Sequence, residues 1–357
     1  MVDIIRKIGE ALKVHQAGAI ALMMISDHSA FKAMATLMRN ELTSKFGIKD
    51  VLYSKNGIKG DNIDCKSLEQ HHSDFDEEYW SIVEKGLRGL DLSAELRKVT
   101  SSTKPVVDAV KKLPENSSAR LQKIRSIMAH LFAYWTLERS EAYRHASKDI
   151  ENKNAYLTQP HAAQLVAIFR LMGFDSASLF SKAAVFEIKN HLAQVLTGEG
   201  KSVTLAITAA LFALLGFEVD CACYSEYLSA RDYDEFSGLF IAFGVQSRIQ
   251  YGTFNKLCEA YINIRGDTRY MVESLIGGTR VKKVRSNSKN TQRVLLIDEV
   301  DVFFGKDFYG SEYRYCVFDA CCCCCDFFIF FFFLSDQIKN LWLQALLILL
   351  LPGHLPA

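Results

Sequence analysis

Leu196-Thr197-Gly198-Glu199-Gly200-Lys201-Ser202 is the stretch on which the reading of the fold turns. It has the form of a phosphate-binding loop that opens a helix. A phosphate group is dense negative charge and binds where backbone N–H groups converge at a helix N-terminus. Gly198 and Gly200 let the backbone turn tightly and approach closely, with no Cβ in the way. Lys201 is then placed to reach the β- and γ-phosphates of a nucleotide, and the Ser202 hydroxyl to sit on Mg²⁺. The pattern is not strict, because Val195 stands where the usual loop has its first glycine. A polar turn before a helix is the bland alternative.

The second half of such a site lies downstream, in Arg293-Val294-Leu295-Leu296-Ile297-Asp298-Glu299-Val300-Asp301. A continuous apolar run reads as a central parallel strand, covered on both faces. Acids at its carboxyl end fall where ligands bind in open α/β sheets. Asp298 would hold Mg²⁺ through its water shell, and Glu299 would orient and deprotonate an attacking water.

The intervening chain supplies strand and helix units. Residues 202–215 read as an apolar helix stopped by Gly216, and residues 217–224 alternate like a strand. Cys221 and Cys223 share one face of that strand, so they form no metal-ligand pair. Ser229 and Asp232 resemble a capping box for a helix running to Phe243, with Gly244 as its stop. A strand over 245–251 and a short helix over 254–262 follow, then a polar, basic stretch over 277–293. That stretch reads as a solvated loop, with contact to a polypeptide or acidic partner as the alternative.

Upstream, Pro160 suits the first turn of a helix and Gln164 lies one turn in. A glutamine amide donates and accepts at once, as reading an adenine edge requires; the alternative is an ordinary surface glutamine. His161 reads as structural. These elements predict an α/β fold: an incomplete P-loop NTPase, RecA-like parallel sheet flanked by helices, preceded by a mostly helical N-terminal region.

The chain has 357 residues, a two-domain length, and 42 Lys+Arg against 41 Asp+Glu leave no field to attract nucleic acid. The division expected is a helical region over 1–150, the nucleotide-binding domain over 151–315 and a low-complexity tail over 316–357. Residues 2–24, 30–42 and 117–141 carry helical spacing, and Pro105 and Pro114 punctuate the segment before the last of these. Residues 56–76 read as an irregular acidic surface loop, where the pair His71-His72 lacks the second ligand cluster that a metal site needs. No apolar signal segment opens the chain, so a reducing cytosol is the expected setting for its ten cysteines.

Four motifs in order, TGEGKS (197–202), YSEYLSARD (224–232), YGTFNKL (251–257) and DEVD (298–301), resemble the motor domain of SecA, the preprotein translocase ATPase. The likeness covers roughly residues 159–301 and is nearest to SecA-like domains of larger eukaryotic proteins. It implies ATP and Mg²⁺ as cofactors. Gln164 falls at the adenine-reading position, and Thr197, Gly198, Glu199, Gly200, Lys201 and Ser202 at the phosphate loop, with Ser for the family's Thr. Asp298 falls at the Mg²⁺-linked acid and Glu299 at the catalytic acid. The likeness implies a P-loop NTP hydrolase that drives protein transport, targeting or import. A polypeptide would be its substrate, a membrane or translocation channel its partner, and the cytoplasm or a membrane periphery its location. A DEAD-type nucleic-acid helicase and a non-hydrolysing nucleotide-binding scaffold are the alternatives.

Two departures accompany the resemblance. A loop is inserted near residues 175–182. The match also ends soon after Asp301, so a truncated motor is expected, without the second RecA-like domain and weak or inactive alone. The tail, with Cys321 to Cys325 and its Phe and Leu runs, is expected not to be an evolved domain. Charged and polar residues at 336–340 interrupt it as a membrane span. The edge of the Asp298 strand is expected to be left unpaired.

Overall fold

The computed structural model describes residues 47–54, 63–114, 117–145, 153–174, 191–195, 200–263, 268–277, 292–300 and 345–351, with positions 36, 37, 40 and 58. The amphipathic segments expected before residue 47, the inserted loop, the Cys and Phe runs and Asp301 fall almost wholly outside the described residues.

The first layer is helical. After α1 (Ile48–Tyr53) comes α2 (Cys65–Arg88), whose Asp64 side chain accepts from Ser67 N–H at 3.1 Å. Leu68, Phe75, Tyr79 and Val83 recur at helical spacing and are buried. This corrects the loop expected over 56–76 from Cys65 onward. The polar surface of the segment is the outer face of a helix, and the sparse apolar stripe beneath it decides the structure. Among the described residues no cluster of His, Cys, Asp and Glu could hold a metal. His72 pairs instead with Asp76 at 3.1 Å.

Helix α3 (Leu92–Lys112) carries Pro105 in its interior. A proline there removes a hydrogen bond and costs about 3 kcal/mol, yet the buried stripe Val99, Thr103, Val107 and Val110 runs through it unbroken. Tertiary burial outweighs the local break. Helix α4 (Ser118–Glu138) is capped by the Ser117 hydroxyl and buries every residue from Ile127 to Leu137. A helix apolar on all sides belongs inside a core, and α4 lies between α2, α3 and the helix that follows the loop. The short α5 (Glu141–His145) and then α6 (Ala162–Leu171) complete this layer.

The second layer is a five-stranded sheet in the order β1-β5-β4-β2-β3. Its strands are β1 (His191–Gln194), β2 (Glu218–Cys223), β3 (Ile249–Thr253), β4 (Arg293–Ile297) and β5 (Ala345–Leu351). β2 pairs in parallel with both β3 and β4, with Cys221 opposite Tyr251 on one side and Leu296 on the other. β5 runs antiparallel to β4 and β1, so β1 points the same way as the three parallel strands. The edge of β4 is therefore paired, contrary to the expectation that it would be left open. An unpaired central edge exposes a row of N–H and C=O groups, and the apolar ALLILLL segment covers it.

Between sheet and helical layer lies α7 (Lys201–Leu215), buried at each position from Thr204 to Ala213. It ends at Gly216, whose φ of 107° is the left-handed turn that favours glycine. α8 (Glu226–Ala242) packs beside it on the same sheet face, while α9 (Phe254–Ile262) and Leu295 and Ile297 belong to the other face. β4 is thus covered on both faces, as its unbroken apolar run implies. α10 (Thr268–Ile276) lies beyond α9. The strand expected from Val245 begins at Ile249, because residues Gln246–Arg248 form a 3-10 turn.

Candidate functional site

The parallel strands bring their carboxyl ends to one edge of the sheet, and there the separated motifs meet. Gly200 is the N-cap of α7 and adopts φ 80°. Lys201 and Ser202 form the first helical positions behind it. Thr197, Gly198 and Glu199 lie outside the described residues. A Cβ at Gly200 would overlap the Nε2 atom of Gln164. The backbone angle favours glycine here, and a Cβ would also displace the Gln164 amide.

Gln164 is 2% exposed and sits in the first turn of α6. Its Oε1 accepts from His161 N–H at 3.0 Å, which caps the helix, and its Nε2 donates to Gly200 O at 3.4 Å. The amide expected to read a base is engaged with the protein on both ends, and it links α6 to the glycine that starts α7. His161, expected to be structural, is the N-cap residue of α6.

At the end of β4 the chain bends. Asp298 N–H continues the sheet by donating to Ala222 O at 3.0 Å. Glu299 has φ 53°, the one non-glycine residue among those described with a positive φ. Such a conformation costs of order 1 kcal/mol or more and persists where surrounding structure enforces it, often at functional sites. Its N–H donates to Asp298 Oδ1 at 2.9 Å. Burial raises the Asp298 carboxyl above the usual range; the Lys201 ammonium opposes this, and the Glu299 and Asp232 charges add to it. Lys201 thus acts electrostatically on Asp298, although the two are far apart in sequence.

One site residue escaped the sequence reading. Residue type alone puts Asp232, with Ser229, in a capping box for a helix running to Phe243. The helix starts earlier, at Glu226, and Ser225 is its N-cap, accepting from Leu228 N–H at 3.2 Å. Asp232 therefore falls in the second turn, 2% exposed, on the stripe Ser229, Asp232, Phe236, Leu239 and Phe240 that faces inward. Its Oδ2 accepts from the Ser202 hydroxyl at 3.2 Å, and its Oδ1 from Arg231 Nε and Nη2 at 2.9 and 2.6 Å. The readable signal was an acid at helical spacing within an apolar stripe.

Cys223 ends β2 beside these acids. Burial first, then the charges of Asp298, Asp232 and Glu299, push its thiol up to about 12. It stays protonated and serves neither as nucleophile nor as ligand. Cys221, one strand period back, lies next to Tyr251, and burial raises its thiol well above the usual range. At the opposite end of the strands Arg293 grips Asp220 through contacts of 2.8, 3.1 and 3.3 Å, a structural pair away from the site.

A sheet with a parallel β4-β2-β3 core, helices on both faces, an incoming helix N-terminus and acids at the strand ends defines a RecA-like α/β domain. Comparison with known proteins narrows the class. Residues 93–302, more than half of the chain, match the model of the SecA DEAD-like domain. The chain belongs to that family. It is also 31% identical over 97 residues to the protein translocase subunit SecA 3 of Magnetococcus marinus. That alignment covers 27% of this chain and 15% of the relative, so the likeness spans a small part of the relative's length. No solved structure matches the chain. The family match begins well upstream of the resemblance read from the motifs, within α3, and so includes helices that share one core with α7. Among the described residues no helix is long and apolar enough to cross a membrane.

Proposed function

We propose that this chain binds ATP together with Mg²⁺ at the carboxyl edge of its sheet, as the nucleotide-binding motor domain of a system that moves polypeptides. The observation that carries the reading is the convergence of Lys201, Ser202, Asp298 and Glu299 from distant parts of the sequence. The fit to a cation is tested by the donor set. No described cluster could hold a metal unaided. Mg²⁺ is usually bound through one or two carboxylates with substrate phosphates and water completing the shell. A hydroxyl at Ser202 and a carboxylate at Asp298 suit that division.

In this reading Lys201 neutralises the β- and γ-phosphates, while the loop from Thr197 to Gly200 wraps them with backbone N–H groups. Ser202 and Asp298 would hold the cation, the latter through water. When bound, Mg²⁺ supplies positive charge that offsets the negative charge gathered on the transferring phosphate. Glu299 orients the attacking water and takes its proton onto the carboxylate. Gln164, bonded to the loop glycine, ties α6 to the start of α7. Transport of a polypeptide, in the cytoplasm or at a membrane periphery, is the role proposed from the family.

Equilibrium binding of a fluorescent ATP analogue to the wild-type chain and to Lys201→Ala tests the reading. A loss of roughly 100-fold in affinity is expected, as for removal of a charged contact worth ~3 kcal/mol. Equal binding by both proteins would reject the site.

A further inference from the structure

Helix α7 carries three hydroxyls on its first turns, and they behave differently. Thr204 Oγ1 donates back to Gly200 O at 3.3 Å, and Thr208 Oγ1 to Thr204 O at 2.7 Å. That is the usual habit of a hydroxyl inside a helix. Ser202 breaks it: its hydroxyl reaches across to α8 and donates to Asp232 Oδ2 at 3.2 Å. A hydroxyl has one proton and two lone pairs. With the proton committed to Asp232, both lone pairs point away from α8.

Asp232 is an expensive residue to place there. Burying a carboxylate costs several kcal/mol unless it is well paired. The structure divides its two oxygens: Arg231 takes Oδ1 through Nε and Nη2, and Ser202 takes Oδ2. Arg231 is half-exposed, with 50% of its side chain open to solvent, so it balances the buried charge from the rim. Asp232 also contributes to the field felt by Asp298 and Cys223, which places it within the same electrostatic neighbourhood. A purely structural role would be served as well by an uncharged residue on this stripe, whose other members are Ser229, Phe236, Leu239 and Phe240.

We propose that Asp232 is a positioning residue that fixes the Ser202 hydroxyl with its lone pairs toward the cleft, ready to ligate a divalent cation, and that Arg231 secures the arrangement by occupying the other carboxylate oxygen. Outer partners of this kind orient a ligand that would otherwise rotate freely, and their loss typically weakens metal affinity 10- to 100-fold. The proposal rests on the nucleotide-binding reading above.

The test is a Mg²⁺ titration of fluorescent ATP analogue binding to the full chain. Wild type, Asp232→Asn, Ser202→Ala and the double variant are compared, each also in EDTA and each checked by thermal melting. In Asp232→Asn the Mg²⁺ concentration at half-saturation should rise about tenfold or more, a weakening absent from the binding measured in EDTA. In the Ser202→Ala background the same substitution should add nothing, because Asp232 acts through that hydroxyl. Asp232→Glu, which keeps the charge but displaces it by one methylene, should also shift the Mg²⁺ midpoint and serves if the Asn variant does not fold. Unchanged midpoints in the folded variants, or a full Asp232→Asn shift persisting without Ser202, would overturn the proposal. Absence of nucleotide binding by wild type under both conditions would instead sink the underlying reading, and this one with it.

Discussion

Helices α4 and α7 lie against each other, and both bury nearly every side chain along their central turns, but they use their polar groups differently. In α4 most are answered within the core, the buried Trp135 Nε1 being an exception. Thr136 Oγ1 donates to Thr158 O at 2.8 Å and receives the Tyr79 hydroxyl at 2.8 Å, and His130 Nδ1 meets Ser126 O at 2.8 Å. In α7 the later hydroxyls are answered in the same way, but the first turn opens onto Gly200, Gln164, Asp232 and, electrostatically, Asp298. The contrast separates two kinds of polarity. Groups satisfied by their own helix or its neighbours serve the fold. On the reading proposed above, the groups held across elements at the first turn of α7 serve a ligand. Buried position alone does not distinguish them.

That comparison can be broken or sharpened by substitution, taken in order of falling effect on unfolding free energy. Phe132→Ala removes a fully buried ring from α4 and should cost about 3–5 kcal/mol in urea unfolding. Nucleotide affinity of the folded fraction should stay at the wild-type value. A selective loss of affinity would show that α4 is not purely architectural.

The second expectation concerns pH. Burial pushes the His71 ring down to about 4; the Arg125 guanidinium adds to this and Asp74 opposes it. The ring packs edge-on against Phe174 at 4.8 Å, and Arg125 Nη1 lies 3.0 Å from its Nδ1. A base whose folded pKa lies below its unfolded value stabilises the protein above the unfolded pKa. That stability drains away as pH falls from about 6.5 toward about 4, because only the unfolded chain takes up the proton. At most about 3 kcal/mol is at stake. Unfolding measured across that window should show a slope that His71→Gln flattens.

Thr136→Val strands the buried Tyr79 hydroxyl and a carbonyl, and should cost about 2 kcal/mol with no change in affinity. Gly200→Ala should be the smallest in stability, about 1 kcal/mol for an alanine at positive φ. Yet it pushes Gln164 off the loop and should abolish most binding of the ATP analogue. An Ala variant that binds like wild type would remove Gly200 from the site.

Much of this was legible from residue type. β4 is an unbroken apolar run, α7 is bounded by Gly200 and Gly216, and α9 begins after Thr253 as its turn residues imply. The acidic strand end was legible too, because ligands collect there in open sheets. Other features were hidden for physical reasons. α2 was masked by a polar outer face. Pro105 was outvoted by the buried stripe around it. Asp232 was obscured by a helix boundary, since a shift of four residues turns a cap into an inward-facing side chain. The left-handed backbone at Glu299 has no sequence signature, because glutamate rarely adopts it. The pairing of β4 with β5 is a contact of long sequence separation, and an apolar run does not state its partner.

That last pairing has a geometric meaning. β1 leads into the loop and β4 ends at Asp298, and one strand stands between them. Strands in a sheet sit ~4.8 Å apart, so β1 and β4 lie about 10 Å from each other across β5. The intervening strand acts as a gauge block. Its own atoms need take no part in chemistry, yet its thickness sets the gap that a phosphate and its cation would have to fill.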